Sequence, residues 1–335
     1  MQDEALRELP KRLSDWGWGI AKKKERLGRY MQEKEWIIEN GSIHYEIDSK
    51  SQEGSARVTG FQGMASQVGI PGQIEGLPVT AVAKKAFLSR KNLRRVLLPD
   101  TVEEIGDWAF AYCDCLEEVV LPRRGIRFGK AVFMECKNLR RISAVEECRK
   151  LPVPAFPAEL LAAAVSSMDA AYLLDLETAG TEEWLGKWDA RLKSVLRVPD
   201  QEGFSRQILC GEEDYGSTDL AAYMSGRRKE KIRLSLLRLL FDQGLDSQMR
   251  EELEAYLLDH TKGEKSEETW QVILQEHGGH RDYYRLFAEI GCVTERNLDH
   301  ILADIGEEYP EMKAYFLRYR EEFLDAGDFF AGLEL

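Results

Sequence analysis

Two cysteines separated by a single residue, Cys113 and Cys115, are the first residues of this sequence to suggest site chemistry. Closely spaced thiolates can bind zinc or exchange disulfides. Together with Cys136 and Cys148, however, they do not match the usual zinc-binding spacings. Cys113 and Cys136 are 23 residues apart, an interval that many apolar residues of the same region share. We therefore predict structural thiols at both positions rather than a metal or redox site.

The segment CGEEDYGSTD at residues 210–219 is a second candidate for chemistry. Its thiol, carboxylates and hydroxyls could supply a nucleophile or the ligands of a divalent cation. It also fits an acidic loop that ends in a helix N-cap at Ser217, with Asp219 favoured by the helix dipole. We prefer the acidic loop as the interpretation and keep site chemistry as the alternative.

Two further motifs are typical of structural elements rather than of ligand sites. His277 and His280 flank two glycines, which favours a turn, and two histidines alone do not make a metal site. The stretch RRKEKIRLSLLRLL at 227–240 is a basic amphipathic helix, which we expect to pack in a core with its bases solvated. The sequence shows no phosphate-cradling glycine-rich loop, nucleophile elbow or paired zinc motif. The prediction is a protein without cofactor or metal.

The net charge of −13 over 335 residues is unevenly distributed. Residues 79–150 carry 15 Lys and Arg against 10 Asp and Glu, whereas residues 151–335 carry 20 against 37. The acidic excess argues against nucleic-acid binding, because phosphate contact requires positive charge. The N-terminus lacks the apolar segment of a secretory signal, and the longest apolar run, at 160–165, is too short to span a membrane. We therefore expect a cytoplasmic protein that contacts neither nucleic acid nor membrane.

A 23-residue repeat organises the middle of the chain. The residues that keep this spacing are Phe87, Phe110 and Phe133; Leu93, Leu116 and Leu139; Val96, Val119 and Ile142; Leu98 and Leu121; and Pro99 and Pro122. A less regular unit precedes them, with Ile70-Pro71 at the position of the later leucine–proline pairs. Each unit contains L-x-x-V-x-L, the signature of a leucine-rich-repeat strand. Strand alternation turns Val96 inward and Arg95 and Leu97 outward, and stacked units bury the apolar face that one unit cannot bury alone.

The repeat consensus F-x-x-C-x-x-L-x-x-V-x-L-P, with I-G-x-x-A-F before the next unit, resembles the BspA-like leucine-rich repeats of the Treponema pallidum type. The lead-in segments VTGFQG (58–63) and IEGLPVTAVAKKAF (74–87) resemble the first unit of that family. The resemblance covers roughly residues 58–145 and implies a stacked repeat fold that binds proteins. Known members are mostly bacterial, and many are surface-exposed adhesins. This chain departs from the adhesin pattern in its few repeats, its lack of a visible export signal and its large helical part, which favours binding inside the cell.

The flanking regions have different patterns. Residues 1–57 are predicted to form an N-terminal cap of one or two helices and a β-hairpin, because Asn40-Gly41 lies between two β-prone runs. The three prolines at 151–157 mark a boundary, which places the repeat domain at 58–150 and an α-helical domain at 151–335. Helical patterns there cover residues 158–178, 182–196, 217–224, 229–242, 247–260, 267–276, 281–290, 294–305 and 310–325.

The predicted fold class is α+β, a short leucine-rich-repeat solenoid with an N-terminal helix/hairpin cap and an all-α C-terminal domain of antiparallel helix pairs. The outward residues of the repeat strands would form rows on its concave face, with a further row at the edge. The predicted binding residues are Arg94, Arg95, Leu97, Glu117, Glu118, Val120, Arg140, Arg141 and Ser143. Rows of alternating charge around apolar side chains suit a polypeptide ligand better than a small molecule.

The leading hypothesis is a non-enzymatic protein-interaction module of bacterial type that binds a polypeptide partner on this face. One alternative is a small-molecule binder or enzyme whose site lies in the loop 210–219 and uses Glu212, Glu213 or Asp214, with perturbed carboxylates in a deep pocket. Another is a secreted adhesin, which requires an export signal ahead of Met1. The sequence leaves the identity of the partner and the oligomeric state open.

Overall fold

The computed structural model describes residues 34–48, 54–122, 125–144, 157–200 and 220–324. The contacts among these residues divide the chain into two compact units. The solenoid unit contains the described residues up to Ser166 and the short segment Leu174–Glu177, and the helical unit contains Ser167–Leu173 and the described residues from Thr178 onwards. The domain boundary predicted near residue 150 lies outside the described residues.

The strands of the solenoid unit form two sheets. The described strands are β1 (Lys34–Ile38), β2 (Gly41–Asp48), β3 (Ser55–Gly63), β4 (Gln67–Gly69), β5 (Gln73–Ile74), β6 (Leu77–Val82), β7 (Arg95–Leu97), β8 (Glu104–Ile105), β9 (Glu118–Leu121), β10 (Arg127–Phe128) and β11 (Arg141–Ala144). The first sheet has the order β1-β2-β3-β6-β8-β10, with β5 paired to β6, and the second has the order β11-β9-β7-β4. Strands of successive coils pair in parallel in both sheets. This arrangement confirms the predicted solenoid.

The core of the solenoid unit contains a column of phenylalanine rings, one from each coil. Phe61, Phe87, Phe110 and Phe133 follow one another with ring-centroid separations of 6.2, 5.0 and 5.6 Å. The interplanar angles are 20°, 17° and 13°, so the rings are stacked. Each ring is at most 2% exposed. Phe87, Phe110 and Phe133 therefore meet in the interior as the 23-residue period predicts. Phe61, 26 residues before Phe87, extends the column by one coil.

The turns of the solenoid use residues in the left-handed backbone region, and these residues also recur with the repeat period. They are Lys85, Trp108 and Ala131, with φ of 62°, 53° and 50°, and Ser89, Tyr112 and Glu135, with φ of 58°, 58° and 56°. This conformation is unfavourable for residues other than glycine. Backbone hydrogen bonds to the next coil hold it, for example from Phe87 N to Ala109 O at 2.7 Å and from Ser89 N to Ala111 O at 2.9 Å.

The predicted N-terminal hairpin is confirmed, and its helices lie outside the described residues. β1 and β2 are joined by the two-residue loop Glu39–Asn40, one residue earlier than the predicted turn. Gly41 instead begins β2, where a Cβ would lie 2.5 Å from the Gln62 carbonyl oxygen. The close approach of the two backbones therefore requires glycine at this position. Because β2 pairs with β3, the hairpin extends the first sheet.

The C-terminal end of the solenoid unit is formed by a helix and a short segment. Helix α1 (Ala158–Ser166) packs against β11, and the carboxylate of Glu177 accepts a hydrogen bond from the backbone N–H of Gly125 at 3.1 Å. The helix predicted over 158–178 is therefore too long. It ends at Ser166, and Asp169 soon afterwards takes a left-handed φ of 49°, which is incompatible with a continuing helix.

The helical unit is built around its longest helix. A 3₁₀ turn (Ala171–Leu173) precedes the helices α2 (Glu182–Leu196), α3 (Leu220–Leu240), α4 (Ser247–Asp259), α5 (Glu268–His277), α6 (Arg281–Glu289), α7 (Glu295–Ile305) and α8 (Pro310–Tyr319). Helix α3 contacts α2, α4, α5 and α6. Its sequence was predicted as two helices, which is wrong, because Gly226 costs a helix only about 1 kcal/mol and does not break it. The last predicted helix continues beyond α8 only as a π-helical turn, Arg320–Leu324. The overall class is α+β, as predicted.

Buried cations connect helix α3 to the chain around it. Arg238 is fully buried, and it donates from Nε and Nη2 to the two carboxylate oxygens of Asp189 at 2.6 and 3.0 Å. It also donates to the carbonyl of Gln243 at 3.2 Å. Lys231 donates to Asp200 at 2.8 Å and is 3% exposed. The prediction that the basic residues of 227–240 are solvated is therefore wrong for Arg238 and Lys231, whose buried charges are paired and hydrogen-bonded.

Candidate functional site

The predicted binding residues of the strands lie on the solvent-facing side of the second sheet. The strand register forms two rows, Gln67–Arg95–Glu118–Arg141 and Gly69–Leu97–Val120–Ser143. We call these two rows the strand face. Between the rows, Val96, Val119 and Ile142 are 0% exposed and point into the core. The alternation read from the sequence therefore gives the correct outward set, and it omits Gln67 and Gly69, which come from the irregular first unit.

The charged side chains of the first row pair with one another. The Nε of Arg95 lies 2.8 Å from the Oε2 of Glu118, and the Nε of Arg141 lies 3.9 Å from Oε1 of the same carboxylate. Ser143 donates its hydroxyl to Glu118 at 3.1 Å, and Arg141 also pairs with Glu159 of helix α1. These charges are therefore largely compensated within the solenoid unit.

The edge row predicted from the sequence differs in its pairing from one end to the other. Arg94 pairs with Glu117 one coil further along. Arg140 occupies the next position, is exposed, and has no side-chain partner among the described residues. Within the predicted set, Arg140 is therefore the residue whose charge a ligand could compensate.

The second row of the strand face is mainly apolar and accessible. The side chain of Leu97 is 37% exposed, and Val120 beside it is half-buried. A Cβ placed on Gly69 would meet no atom within 4 Å, so the face is open there. Met64, which precedes β4, is 79% exposed, and its sulfur accepts a hydrogen bond from Asn92 at 3.4 Å. An apolar strip thus crosses three neighbouring strands.

Alternating charge is not unique to the strand face. On the first sheet, Glu104 lies 3.4 Å from Arg57 on one side and 3.4 Å from Arg127 on the other. The repeat pattern in the sequence does not predict this row. Because both sheets carry such rows, alternating charge by itself does not mark a binding surface. What sets the strand face apart is that its charged row lies directly beside an apolar row, Gly69–Leu97–Val120.

The geometry of the repeat cysteines supports a structural role. Cys113 donates to the carbonyl of Phe87 at 3.0 Å, and Cys136 donates to the carbonyl of Phe110 at 3.1 Å. Burial raises the pKa of Cys113 to about 11 and that of Cys136 to about 12, so both thiols stay protonated at neutral pH. No group of three or more potential metal ligands occurs among the described residues.

The remaining sequence candidates lie elsewhere. The segment 210–219 is outside the described residues, so the alternative that places a small-molecule site or an enzyme there stays a prediction. His277 and His280 lie at the turn between α5 and α6, and the His277 ring stacks on Tyr283 at 3.7 Å. The basic stretch 227–240 lies in α3, where Arg228 pairs with Glu268 at 2.7 Å. Across the described part of the chain, every helix is too short or too polar to cross a membrane.

Comparisons with known proteins agree with the repeat assignment. Residues 74–163 match the family described as the BspA type leucine rich repeat region, which confirms the resemblance. A T. pallidum leucine rich repeat protein is 34% identical over 32% of this chain and 49% of its own, with a TM-score of 0.29. A leucine rich cell surface protein from Faecalibacterium prausnitzii is 25% identical over 34% of this chain and 32% of its own (TM-score 0.28). A leucine-rich repeat protein from Bacteroides capillosus is 28% identical over 32% of this chain and 80% of its own (TM-score 0.28).

The match with the first two of these proteins is partial in both directions. This chain spans about half of the T. pallidum protein (49%) and about a third of the F. prausnitzii protein (32%). No curated protein matches the chain. The repeat family is one of protein-interaction modules.

Proposed function

We propose that the protein is a non-enzymatic interaction module whose strand face binds a polypeptide partner. The repeat family mediates protein–protein interaction, which supports the general class. The observation that carries the proposal is the apolar row Gly69–Leu97–Val120 on the solvent-facing side of the second sheet. Interfaces draw most of their binding energy from such desolvated apolar contacts surrounded by a polar rim.

The dimensions of the apolar row suit an extended peptide. Neighbouring strands lie about 4.8 Å apart, so Gly69, Leu97 and Val120 span roughly 10 Å across the sheet. An extended chain covers that distance with about three residues. An apolar side chain of the partner would lie over Gly69, against Leu97.

The charged rows beside the apolar row would orient the partner rather than supply affinity. Arg95 and Arg141 already pair with Glu118, so a ligand gains little by replacing one partner with another. Arg140 is exposed and has no side-chain partner in the described part of the chain, so it favours a partner that presents a carboxylate. A small molecule gains affinity from enclosure, which an open row of side chains does not provide.

The test uses substitutions in the apolar row, because reversing a paired charge would also disturb the solenoid. The double variant Leu97→Asp/Val120→Asp removes the apolar surface. Ile37→Asp is the matched control, since Ile37 is 73% exposed and lies on β1 of the first sheet. Proteins captured from a lysate of the source organism by the unaltered chain are identified by mass spectrometry, purified, and titrated by calorimetry against all three chains.

We expect the double variant to bind the purified partner at least about tenfold more weakly, because truncating or charging a central apolar contact costs about 1–2 kcal/mol or more. The control should bind as the unaltered chain does. Equal affinities for all three chains would place the binding site away from the strand face. A control that weakens binding as much as the double variant would show that the loss is not specific to this face.

A further inference from the structure

The two ends of the second sheet differ in what covers them. At one end, helix α1 packs against the last strand, β11. At the other end lies β4, and β7 is the only strand that pairs with it among the described residues. The outer edge of β4 is therefore an unpaired strand edge in the described part of the chain. Such an edge presents main-chain N–H and C=O groups that another extended chain can bond.

Alternate residues in and beside β4 bond the neighbouring strand β7. The carbonyl of Ser66 accepts from the N–H of Arg95 at 3.0 Å, and the N–H of Ile70 donates to the carbonyl of Leu97 at 2.9 Å. In an extended strand the N–H and C=O groups of one residue point to the same side, and successive residues alternate between the two sides. Val68, midway between Ser66 and Ile70, therefore also faces β7.

Gln67 and Gly69 turn their N–H and C=O groups to the outer edge of β4 by the same alternation. Both residues are exposed, and outside the pairing with β7 neither has a backbone hydrogen bond to a described residue. Arg95 and Leu97 occupy the equivalent positions in the next coil, where they bond the preceding coil. Gln67 and Gly69 thus carry the groups that bond a preceding strand, and no described strand occupies that place.

The glycine at position 69 leaves room for a side chain of an added strand. A Cβ placed on Gly69 would meet no atom within 4 Å, and Leu97 on the next strand is 37% exposed. Because neighbouring strands lie about 4.8 Å apart, a large apolar side chain of an added strand can extend over Gly69 and contact Leu97. It would cover the glycine as aromatic side chains do for glycines of other sheet edges.

We propose that the outer edge of β4 binds an extended segment of the polypeptide partner as a further strand of the second sheet. The main-chain groups of Gln67 and Gly69 would bond the added strand, which supplies affinity, and a large apolar residue beside Gly69 would supply specificity. This contact rests on the proposed function, since it is a second contact of the same partner. A chain that crosses the apolar row leaves the strand face at Gly69, directly beside this edge.

The experiment compares amide hydrogen exchange in the full chain with and without the partner protein purified in the test of the strand face. Mass spectrometry with fragmentation to single residues reads the exchange. In the unliganded chain the amides of Gln67 and Gly69 should exchange rapidly, whereas that of Val68 should exchange slowly because it faces β7. A saturating amount of the partner should slow the exchange of Gln67 and Gly69 at least about tenfold.

The variant Gln67→Pro tests the same edge by affinity. Proline removes the N–H that points to the added strand, and an edge strand tolerates proline where the N–H faces solvent. Gln67→Ala is the matched control, because it removes the same side chain and keeps the N–H. By calorimetry, Gln67→Pro should bind the purified partner about tenfold more weakly than Gln67→Ala. Thermal unfolding checks that Gln67→Pro is folded, and if it is not, the exchange measurement on the unaltered chain decides.

Three outcomes would overturn the added strand and leave the strand face intact. The first is slow exchange of Gln67 and Gly69 in the unliganded chain, since another segment of this chain or a second copy would then cover the edge. The second is exchange that the partner leaves unchanged, and the third is equal affinity of folded Gln67→Pro and Gln67→Ala. Binding that Leu97→Asp/Val120→Asp retains would instead overturn the proposed function, and a lysate that yields no partner would overturn both.

Discussion

Arg95 and Glu118 face each other across the parallel strands β7 and β9, with the arginine Nε 2.8 Å from the glutamate Oε2. The two residues are 23 positions apart in the sequence, so the repeat itself brings them together. Glu118 is the central member of its row, because Arg141 approaches it from the next strand and Ser143 donates to it. A single carboxylate thus connects two coil-to-coil junctions.

Reversing this pair gives a direct measure of its contribution. Arg95→Glu should lower the free energy of unfolding by about 0.5–1 kcal/mol, because it places like charges opposite each other on a partly exposed sheet surface. The swapped double variant Arg95→Glu/Glu118→Arg should recover only part of that loss, since its new arginine faces Arg141. Urea unfolding of the unaltered chain, Arg95→Glu, Glu118→Arg and the double variant gives a double-mutant cycle, which isolates the interaction between the two residues. Strictly additive effects would show that the pair does not interact.

The strand register could be predicted from the sequence because the repeat fixes it. A constant interval of 23 residues determines which side chains are neighbours in successive coils, and strand alternation then separates inward from outward positions. The placement of Val96 in the core and of Leu97 on the surface could therefore be predicted, and the structure has both. The structural role of the Cys113 and Cys136 thiols could be predicted in the same way, because a position that recurs with the period has the same surroundings in each coil.

Contacts outside the repeat could not be predicted, because no periodicity relates their residues. The pairing of Arg141 with Glu159 depends on how helix α1 packs against β11, which the prolines before that helix do not indicate. The exposed face at Gly69 was missed since its unit departs from the regular spacing.

The phenylalanine column should dominate the stability of the solenoid unit. Phe110 lies between Phe87 and Phe133, with centroids 5.0 and 5.6 Å away. Replacing it by alanine should cost about 3–5 kcal/mol, since a cavity opens in the core. Tyr112→Ala is the control in the same coil, because Tyr112 is 41% exposed, and it should cost less than about 1 kcal/mol. Guanidinium unfolding monitored by circular dichroism compares them, and equal losses would contradict a core role for the column.

The buried thiols should make stability fall at alkaline pH. The pKa of Cys136 rises from 9.0 to about 12 on folding, so above pH 9 the unfolded chain releases this proton before the folded chain does. The folded state then binds more protons, and its stability decreases as pH rises, by up to about 1.4 kcal/mol per pH unit. Below pH 9 the thiol is protonated in both states and has no such effect.

The measurement for the thiols is the free energy of unfolding by urea between pH 7.5 and 10.5. Cys136→Ala will be less stable at every pH because it loses the hydrogen bond to Phe110 and leaves a small cavity. Its stability should nevertheless decline less steeply above pH 9 than that of the unaltered chain. Parallel curves would show that the thiol does not contribute to the alkaline loss.

The left-handed turn at Ser89 should respond differently to glycine and to a β-branched residue. Ser89 is exposed and has a φ of 58°. Ser89→Gly should leave stability unchanged or raise it by up to about 1 kcal/mol, because glycine adopts this conformation without steric cost. Ser89→Val should lower it by about 1–2 kcal/mol, since a branched Cβ is disfavoured there. Thermal unfolding ranks the stability of the three chains. If Ser89→Val were as stable as Ser89→Gly, the left-handed backbone at this position would not be strained.

Helix α1 packs against β11, the last strand of the second sheet. Because the junctions between the 23-residue coils have the same form, a further 23-residue copy could be inserted between these coils without altering either end. Each insertion would lengthen the strand face by one strand, about 4.8 Å. Gene duplication within the repeat would therefore change the size of the recognised segment in whole steps, so copy number is a means by which evolution could adjust the partner while the terminal elements stay constant.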